Sequence, residues 1–331
     1  MEAAHDVDPW AGDADPSALE PFAGAMRRAD AVGHRVVHGG PDLREPTVLD
    51  DDAVAAIEAL TPLAPLHQPR ALAGIRAVQS ALPGVPAVAC FDTAFHATLP
   101  AAAATYALPE DWRRRWPLRR FGFHGLSHQY AVRRAGELLG GAPARLVTCH
   151  LGAGASLCAV LDGRSVDTTM GFTPLEGLVM NTRSGSVDPG LVLWLVNEAG
   201  LAPAEVADGL ERHSGLAGLS GTSGDLREIG AGTLAFDVYV HRLRREIAAM
   251  AAGLDGLDAL VFTGGVGEHQ PAVRVAAGAG LGFLGVDIDG QTNSAVTGDG
   301  EISAAGASVR TLVVTAREDL EISRQVRDLL G

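Results

Sequence analysis

Residues 145–169 read RLVTCHLGAGASLCAVLDGRSVDTT, and this stretch indicates the fold more clearly than any other part of the chain. Three apolar runs of strand length follow one another, separated first by a Gly-x-Gly-x-Ser turn and then by the dipeptide Asp162-Gly163, a strong hairpin signal. A tight glycine turn between two strands can offer unhindered backbone N–H groups to an anion. The pattern also fits an ordinary glycine-rich hairpin, so the turn alone leaves both interpretations open.

Outward from this unit, strand patterns alternate with helical patterns, which is typical of an α/β protein. Strands are predicted at 34–38, 85–91, 145–151, 157–161, 165–169, 258–262 and 309–315. Helices are predicted at 50–60, 69–81, 188–199, 203–211, 233–253 and 318–330, with another beginning near Ser127 and one running from Ser17 to about Asp30. A chain of 331 residues exceeds the usual size of one core, so two domains are expected.

Charge and composition limit the classes of partner. The chain carries 26 basic and 40 acidic residues, a formal net charge of −14, which disfavours binding to nucleic acid or to an anionic membrane. All of the basic residues are arginines, so an anion site must use arginine, histidine, backbone N–H groups or a metal. With no apolar stretch of membrane-spanning length and no recognisable signal peptide, a cytoplasmic protein with buried structural cysteines is expected.

Five ionisable residues stand where they could serve chemistry, and each also has a purely structural interpretation. Arg35, in a predicted strand, would bind an anion or form an internal salt bridge. Asp92 ends a predicted strand, as ligand-binding carboxylates of α/β proteins do, or caps a helix. His124 would donate to an anion or cap the next helix, and Arg183 would bind an anion or lie on the surface. Glu318 would hold Mg²⁺ or merely favour a helix dipole.

A second glycine loop follows the strand predicted at 258–262. Its sequence, TGGVGE at 263–268, places glycines near a helix N-terminus, where they would face the ribose or phosphates of a nucleotide. An ordinary strand-to-helix turn would have the same composition. This loop therefore indicates nucleotide binding only in combination with the other motifs.

Long motifs along the chain are similar to those of the acetate kinase family. They are GHRVVHGG (33–40), FDTAFHATLP (91–100), FGFHGLSH (121–128), HLGAGAS (150–156), MGFTPLEGL (170–178), TRSG (182–185), FTGGVGE (262–268) and EDL (318–320). The resemblance implies the duplicated actin-like, ribonuclease H-like fold, with two α/β domains around a nucleotide cleft. Residues 1–94 and 318–331 would form the acid- and phosphate-binding domain, and residues 95–317 the nucleotide-binding domain.

The resemblance also implies an activity, which is reversible phosphoryl transfer between ATP and acetate. Direct in-line transfer would give acetyl phosphate and ADP, with Mg²⁺ or Mn²⁺ as the cofactor and a homodimer as the assembly. Arg35 and Arg183 would bind the carboxylate and the phosphoryl group in flight. His124 would donate to the phosphoryl oxygens, while Asp92 and Glu318 would place the metal ion.

Two further sets of residues are implied by the resemblance. The apolar pocket for the acetate methyl group would be formed by Val37, Leu66, Phe123 and Pro174. The residues in contact with ATP would be His150, Gly152, Gly154, Asp225, Arg227, Gly265, Val266 and Gly267. Both sets are carried over from matching motif positions.

The chain also departs from the family pattern. No stretch matches the Asn-x-Gly-Ser-Ser-Ser-x-Lys turn with which family members open, so an incomplete first domain and slow transfer are expected. Residues usual in the family are replaced at four positions, by Leu126, Ala153, Asn181 and His269. Two alternatives therefore stand beside an acetate kinase. One is a kinase of propionate or butyrate, and the other is a nucleotide-binding relative with impaired catalysis.

Overall fold

The computed structural model of the protein describes residues 29–331, in which two compact units are distinguished. The first unit comprises Met1–Phe95 and Glu318–Gly331, and the second comprises His96–Arg317. The helix predicted from Ser17 to about Asp30 lies almost entirely outside the described residues. Between residues 29 and 331 there is no helix with both the length and the apolar character needed to cross a membrane.

Helices and strands alternate along the described chain. The strands are β1 (Val32–Val36), β2 (Thr47–Val48), β3 (Ala87–Phe91), β4 (Arg145–Leu151), β5 (Ala155–Leu161), β6 (Arg164–Thr168), β7 (Ala259–Thr263), β8 (Gly300–Glu301) and β9 (Arg310–Val313). The helices are α1 (Asp51–Ala59), α2 (Gln68–Ala81), α3 (Ala101–Ala104), α4 (Glu110–Arg115), α5 (Gly125–Leu139), α6 (Pro189–Asn197), α7 (Pro203–Arg212), α8 (Gly215–Ser220), α9 (Leu234–Gly253), α10 (Gly264–His269), α11 (Pro271–Gly278), α12 (Gly290–Ala295) and α13 (Glu318–Leu330).

The first unit is built on a three-stranded sheet with the order β1-β3-β2. β1 and β3 are parallel, and β2 pairs antiparallel to β3. β3 is buried along its whole length and packs in a core with side chains of α1 and α2 such as Ile57 and Ile75. α13 lies against β1 at Gly33, where a Cβ atom would come within 2.3 Å of Ile322. This close approach requires glycine, and it brings the start of α13 to Arg35.

The second unit contains a six-stranded sheet with the order β6-β5-β4-β7-β9-β8. β4, β7 and β9 are parallel, β5 and β6 turn back as antiparallel hairpins, and β8 pairs antiparallel to β9. α9 packs on β4 and β5, and α5 packs on β4 and β7, so these strands are almost wholly buried. Asp162 and Gly163 both have positive φ, 47° and 79°, the geometry of the predicted tight hairpin turn.

The first strand begins and ends two residues earlier than predicted. It covers Val32–Val36 rather than 34–38, because its parallel ladder with β3 begins at its first residue and ends where Asp92 N donates to its last carbonyl. His38 therefore lies in the turn that follows, where its Nδ1 atom accepts a hydrogen bond of 2.8 Å from Gly40 N.

Other differences arise around the glycine-rich segments. β5 begins at Ala155 rather than Leu157, because its ladder with β4 continues up to the pair Leu151 and Ala155. The glycine loop predicted after β7 is the short helix α10, which its low helix propensity concealed. The three cysteines are buried and free, as the sequence predicts.

Candidate active site

Arg35 lies between two carboxylates of its own unit. Its Nη2 atom is 2.7 Å from Asp92 Oδ2, and its Nη1 atom is 3.0 Å from Glu318 Oε2. β1 positions the arginine, the residue after β3 is Asp92, and the first residue of α13 is Glu318. Asp92 is 1% exposed, so its charge depends on this cation. Of the two interpretations of Arg35, the internal salt bridge is present in this structure. Within residues 29–331 the Asp92 carboxylate pairs with Arg35 rather than capping a helix.

This cluster holds two carboxylates for one guanidinium. Attraction to Asp92, and to a smaller extent to Glu318, raises the pKa of Arg35. The pKa of Glu318 is also raised, first by burial and then by Asp92, against the attraction of Arg35. A carboxyl group whose pKa is raised beside a second carboxylate is one that an additional cation would stabilise. The side chains of this cluster that could take part in holding a divalent ion are Asp92 and Glu318, and no group of three or more potential ligand residues occurs within residues 29–331.

A second set of side chains converges on the glycine turn between β4 and β5. A Cβ atom at Gly154 would lie 3.3 Å from His124 Nε2 and 3.5 Å from Arg183 Nη1. The absent side chain thus leaves a space flanked by a histidine nitrogen and an arginine nitrogen. Arg183 Nη1 donates to Pro174 O at 3.1 Å and to Met180 Sδ at 3.7 Å, and to no carboxylate of the described residues. Although burial lowers the pKa of Arg183, its charge is not neutralised by a partner in direct contact.

The backbone of His124 and its contacts with Ser156 and His150 orient its side chain. It has φ 57°, in the left-handed region that is uncommon for residues other than glycine, and it occupies the N-cap position of α5. Its side chain makes no capping hydrogen bond. Instead, Nδ1 lies 2.9 Å from Ser156 Oγ, and the ring stacks on His150 with 4.3 Å between the ring centroids. Nε2 is thereby directed to the glycine turn.

A cavity of about 410 Å³ opens on the other side of the turn, within the second unit. Its volume is in the range of small-molecule sites. Five of the predicted ATP-binding residues line it: Gly152, Asp225, Arg227, Gly265 and Val266. Gly154 and His150 lie instead beside His124, and Gly267 is buried within α10. The turn offers fewer N–H groups than its sequence suggests, because Gly152 N donates to Gly154 O at 2.9 Å.

The sequence matches the Acetokinase family over residues 22–324. It is 51% identical over 309 residues to the acetate kinase of Synechococcus sp. (strain JA-2-3B'a(2-13)), an alignment that covers 90% of this chain and 76% of the relative. This chain belongs to the acetokinase family. The acetate kinase of Thermotoga maritima is 46% identical over 318 residues, with 92% of this chain and 79% of the relative covered.

Solved structures of the family superpose closely on the chain. An acetate kinase from Porphyromonas gingivalis gives a TM-score of 0.90 at 38% identity, covering 96% of this chain and 85% of the other. A propionate kinase from Francisella tularensis gives 0.88 at 37% identity, covering 93% and 82%. The predicted α/β fold and the family resemblance are confirmed. Since kinases of both names share this fold, the fold by itself does not select between the two acids.

The departures from the family pattern cluster around the cavity. Ala153, Asn181 and His269 all line it, and Asn181 N donates to Ala153 O at 3.2 Å. Three of the four departures therefore belong to the lining of one cavity. Leu126, the fourth departure, is buried in α5. It lies in the hydrophobic core of the second unit and not in the cavity wall.

Sequence reasoning missed several residues of the site. Leu216 and Gln270 line the cavity, although no role was predicted for either. Gln270 occupies an ordinary polar position and gave no signal, whereas Leu216 belongs to the stretch SGL at 214–216, which resembles the family pattern. Arg274 is 1% exposed, and its Nη1 atom donates at 2.8 Å to the carbonyl oxygens of both Gly267 and Glu268. It thus fixes the end of α10. The sequence feature that could have identified Arg274 is that it is an arginine within the otherwise apolar pattern of α11.

The four predicted acid-pocket residues are divided between the two units. Val37 is half-buried and Leu66 largely exposed in the first unit. Phe123 is buried in the second unit beside His124, and Pro174 accepts the hydrogen bond from Arg183. The pocket itself stays a prediction.

Buried histidines make the stability of the fold depend on pH. Burial lowers the pKa values of His34, His38 and His96 to about 4, and lowers that of His128 well below its ordinary value. Between about pH 6.5 and pH 4 these histidines therefore bind protons in the unfolded chain but not in the folded chain. Stability is fully present above pH 6.5 and is lost as the pH falls towards 4, by at most about 3 kcal/mol for each of His34, His38 and His96.

Glu318 and Asp167 act in the opposite sense, because their folded pKa values are raised, chiefly by burial, but they are two groups against four. Urea unfolding at about pH 7.5 and about pH 5 measures the difference. We expect a clearly lower unfolding free energy at the acidic value. Equal free energies at the two values would contradict the assignment of neutral, buried histidines.

Proposed function

We propose that the chain transfers the γ-phosphoryl group of ATP to the carboxylate of acetate, reversibly, giving acetyl phosphate and ADP. A carboxylate oxygen attacks the γ-phosphorus as the bond from that phosphorus to the oxygen of ADP breaks. No proton need move, because the acid enters ionised. Family membership supports the reaction type. The observation that carries the proposal is the space at Gly154, flanked by His124 Nε2 and by the un-neutralised Arg183.

Charge stabilisation is the main task in such a transfer, since negative charge spreads over three equatorial oxygens. Arg183 would present its planar guanidinium to these oxygens, and His124 would donate from Nε2. The cavity lined by Asp225, Arg227 and Gly265 would hold the adenosine part of ATP. Gly152 of the β4–β5 turn lines this cavity, and Gly154 of the same turn lies beside His124 and Arg183, so the phosphate chain would pass along the turn.

The residues of the first unit would hold the metal ion and the acid. Asp92 and Glu318 fit Mg²⁺ or Mn²⁺, because both are carboxylate oxygen donors and Arg35 pairs with each of them. Such ions are usually held by one or two carboxylates together with substrate phosphates. When bound, the ion would neutralise charge on the phosphates. Arg35 would then pair less strongly with the two carboxylates, and its guanidinium group would bind the acid.

Assembly as a homodimer is proposed from one exposed helix. α6 reads PGLVLWLVN and has no buried residue, with Leu193 61% and Trp194 55% exposed. Contiguous apolar surface of this kind marks protein interfaces. A second copy of the chain would cover it. We also propose a cytoplasmic location, since three free, buried thiols suit a reducing compartment.

Trapping of the acyl phosphate with hydroxylamine tests the function. The full chain, ATP and Mg²⁺ are incubated with acetate, propionate or butyrate, and the hydroxamate is measured together with ADP. We expect the highest kcat/KM with acetate. A higher value with propionate or butyrate would favour the alternative acid. Binding of ATP without hydroxamate from any acid would favour the catalytically impaired relative and overturn the proposal.

Substitution of Val37 tests the proposed acid pocket. Val37→Ala should enlarge the pocket and raise the ratio of kcat/KM for propionate to that for acetate by about 5- to 10-fold. The change is modest because a methylene group in an apolar pocket contributes only about 1–3 kcal/mol. Val48→Ala, on the exposed strand β2 of the same unit, serves as the control. An unchanged ratio in Val37→Ala would show that Val37 does not line the pocket.

A further inference from the structure

A continuous chain of hydrogen bonds runs from the interior of the second unit to His124. Thr148 Oγ1 lies 2.7 Å from His128 Nδ1, and His128 Nε2 lies 2.8 Å from Ser156 Oγ. The same serine oxygen lies 2.9 Å from His124 Nδ1. Thr148, His128 and Ser156 are all fully buried, so none of their protons can be satisfied by bulk water.

The inner end of this chain fixes the direction of every hydrogen bond in it. Within residues 29–331, His128 Nδ1 is the hydrogen-bond partner of the Thr148 hydroxyl. The buried hydroxyl must donate to that nitrogen, because a buried O–H group without an acceptor loses on the order of 1–3 kcal/mol. His128 Nδ1 is therefore the acceptor and carries no proton.

The positions of the other protons in this hydrogen-bonded chain follow from that of the Thr148 hydroxyl. Burial, with smaller contributions from His96 and His150, lowers the pKa of His128 far below its ordinary value, so this ring is neutral and has one N–H group. With Nδ1 unprotonated, Nε2 carries the hydrogen and donates to Ser156 Oγ. The serine hydroxyl then has its own proton to donate, and it donates to His124 Nδ1. The reverse direction would leave the Thr148 hydroxyl without an acceptor.

We infer that Thr148, His128 and Ser156 are positioning residues that hold His124 as the neutral tautomer with its proton on Nε2. This nitrogen is the one that faces Gly154 and Arg183. The outer end of the chain thus presents a hydrogen-bond donor to the anion site without requiring a protonated imidazole. In the opposite tautomer a lone pair would face the phosphoryl oxygens and repel them. The inference rests on the proposed function for its catalytic meaning, but the tautomer itself is a property of the ligand-free chain.

Nitrogen-15 NMR of the ligand-free chain, labelled at histidine, reads the tautomer directly. Signals of His124 are identified by their loss in His124→Gln. At about pH 7.5 we expect Nε2 of His124 to be the protonated nitrogen and Nδ1 to be the unprotonated acceptor. A proton on Nδ1, or on both nitrogens, would overturn the inference. This result does not depend on turnover, so a chain with the predicted tautomer and no hydroxamate formation would reject the proposed function alone.

Variants of the chain test the positioning role. Ser156→Ala should give a mixture of His124 tautomers and lower kcat by about tenfold or more, with the KM values for ATP and acetate little changed. Thr148→Val, which keeps the shape and removes the hydroxyl, should have a smaller effect of the same kind, and Thr148→Ser should restore both the tautomer and kcat. A purely structural role would predict loss of stability without a change of tautomer. If Ser156→Ala fails to fold, the spectrum of the unmodified chain and the comparison of Thr148→Val with Thr148→Ser still test the positioning role.

Discussion

Replacing Arg183 by alanine should lower kcat for acyl phosphate formation by about 10³-fold. Arg183 flanks the space at Gly154, and its guanidinium contacts a carbonyl oxygen and a thioether rather than a carboxylate of the described residues. Its charge is therefore available to the phosphoryl group in flight. Because these contacts are few and lie in a half-buried loop, the unfolding free energy should change by only about 1 kcal/mol.

Two further variants separate charge from geometry. Arg183→Lys keeps the charge but loses the planar fork, so it should recover only a small part of the turnover. Arg212→Ala removes an exposed arginine of the same unit that pairs with Asp208, and it should leave kcat unchanged. Turnover of Arg183→Ala close to that of the unmodified chain would remove Arg183 from the site.

Replacing Arg35 by alanine should abolish measurable turnover and also destabilise the first unit. Asp92 is almost completely buried, and Arg35 is its ion-pair partner within residues 29–331. Removing the cation leaves a buried carboxylate uncompensated, which destabilises by about 3 kcal/mol, at the low end of the usual range because Arg35 is itself partly exposed. Urea unfolding and the hydroxylamine assay measure the two effects separately.

A double variant tests the cause of the stability loss. Arg35→Ala combined with Asp92→Asn removes the uncompensated charge, so it should recover most of the lost stability, while turnover stays lost because Asp92 is itself a proposed ligand of the metal ion. Arg76→Ala, which breaks an exposed pair with Glu58 in the same unit, should alter neither. If the double variant were as unstable as Arg35→Ala, the uncompensated charge of Asp92 would not be the cause of the stability loss.

The hairpin at 145–169 was predictable because its signals are local. A glycine turn and an Asp-Gly turn fix two chain reversals within 25 residues, and alternation of apolar runs supplies the strands. Strand limits were less predictable where pairing decides them. β1 covers Val32–Val36 rather than the predicted 34–38, because it pairs with β3, which spans Ala87–Phe91. The sequence of β1 alone does not reveal the limits of its partner.

The site was only partly predictable for the same reason. Motifs named Arg35, Asp92 and Glu318 separately, but only the packing of α13 on β1 unites them into one cluster. His128 follows His124, the N-cap residue of α5, by four residues, a spacing that the sequence shows. That His128 meets Thr148 on β4 depends on the docking of α5 on the sheet, and no local pattern encodes it.

Phosphorus-31 NMR of one reaction mixture follows the transfer of the phosphoryl group to acetate itself. The full chain is incubated with ATP, Mg²⁺ and acetate, beside an identical sample of Arg183→Ala. We expect an acetyl phosphate signal that grows in equal amount with ADP in the first sample and is nearly absent from the second. ADP accompanied by inorganic phosphate from the outset, or ATP that stays unchanged while it binds, would contradict phosphoryl transfer to the carboxylate.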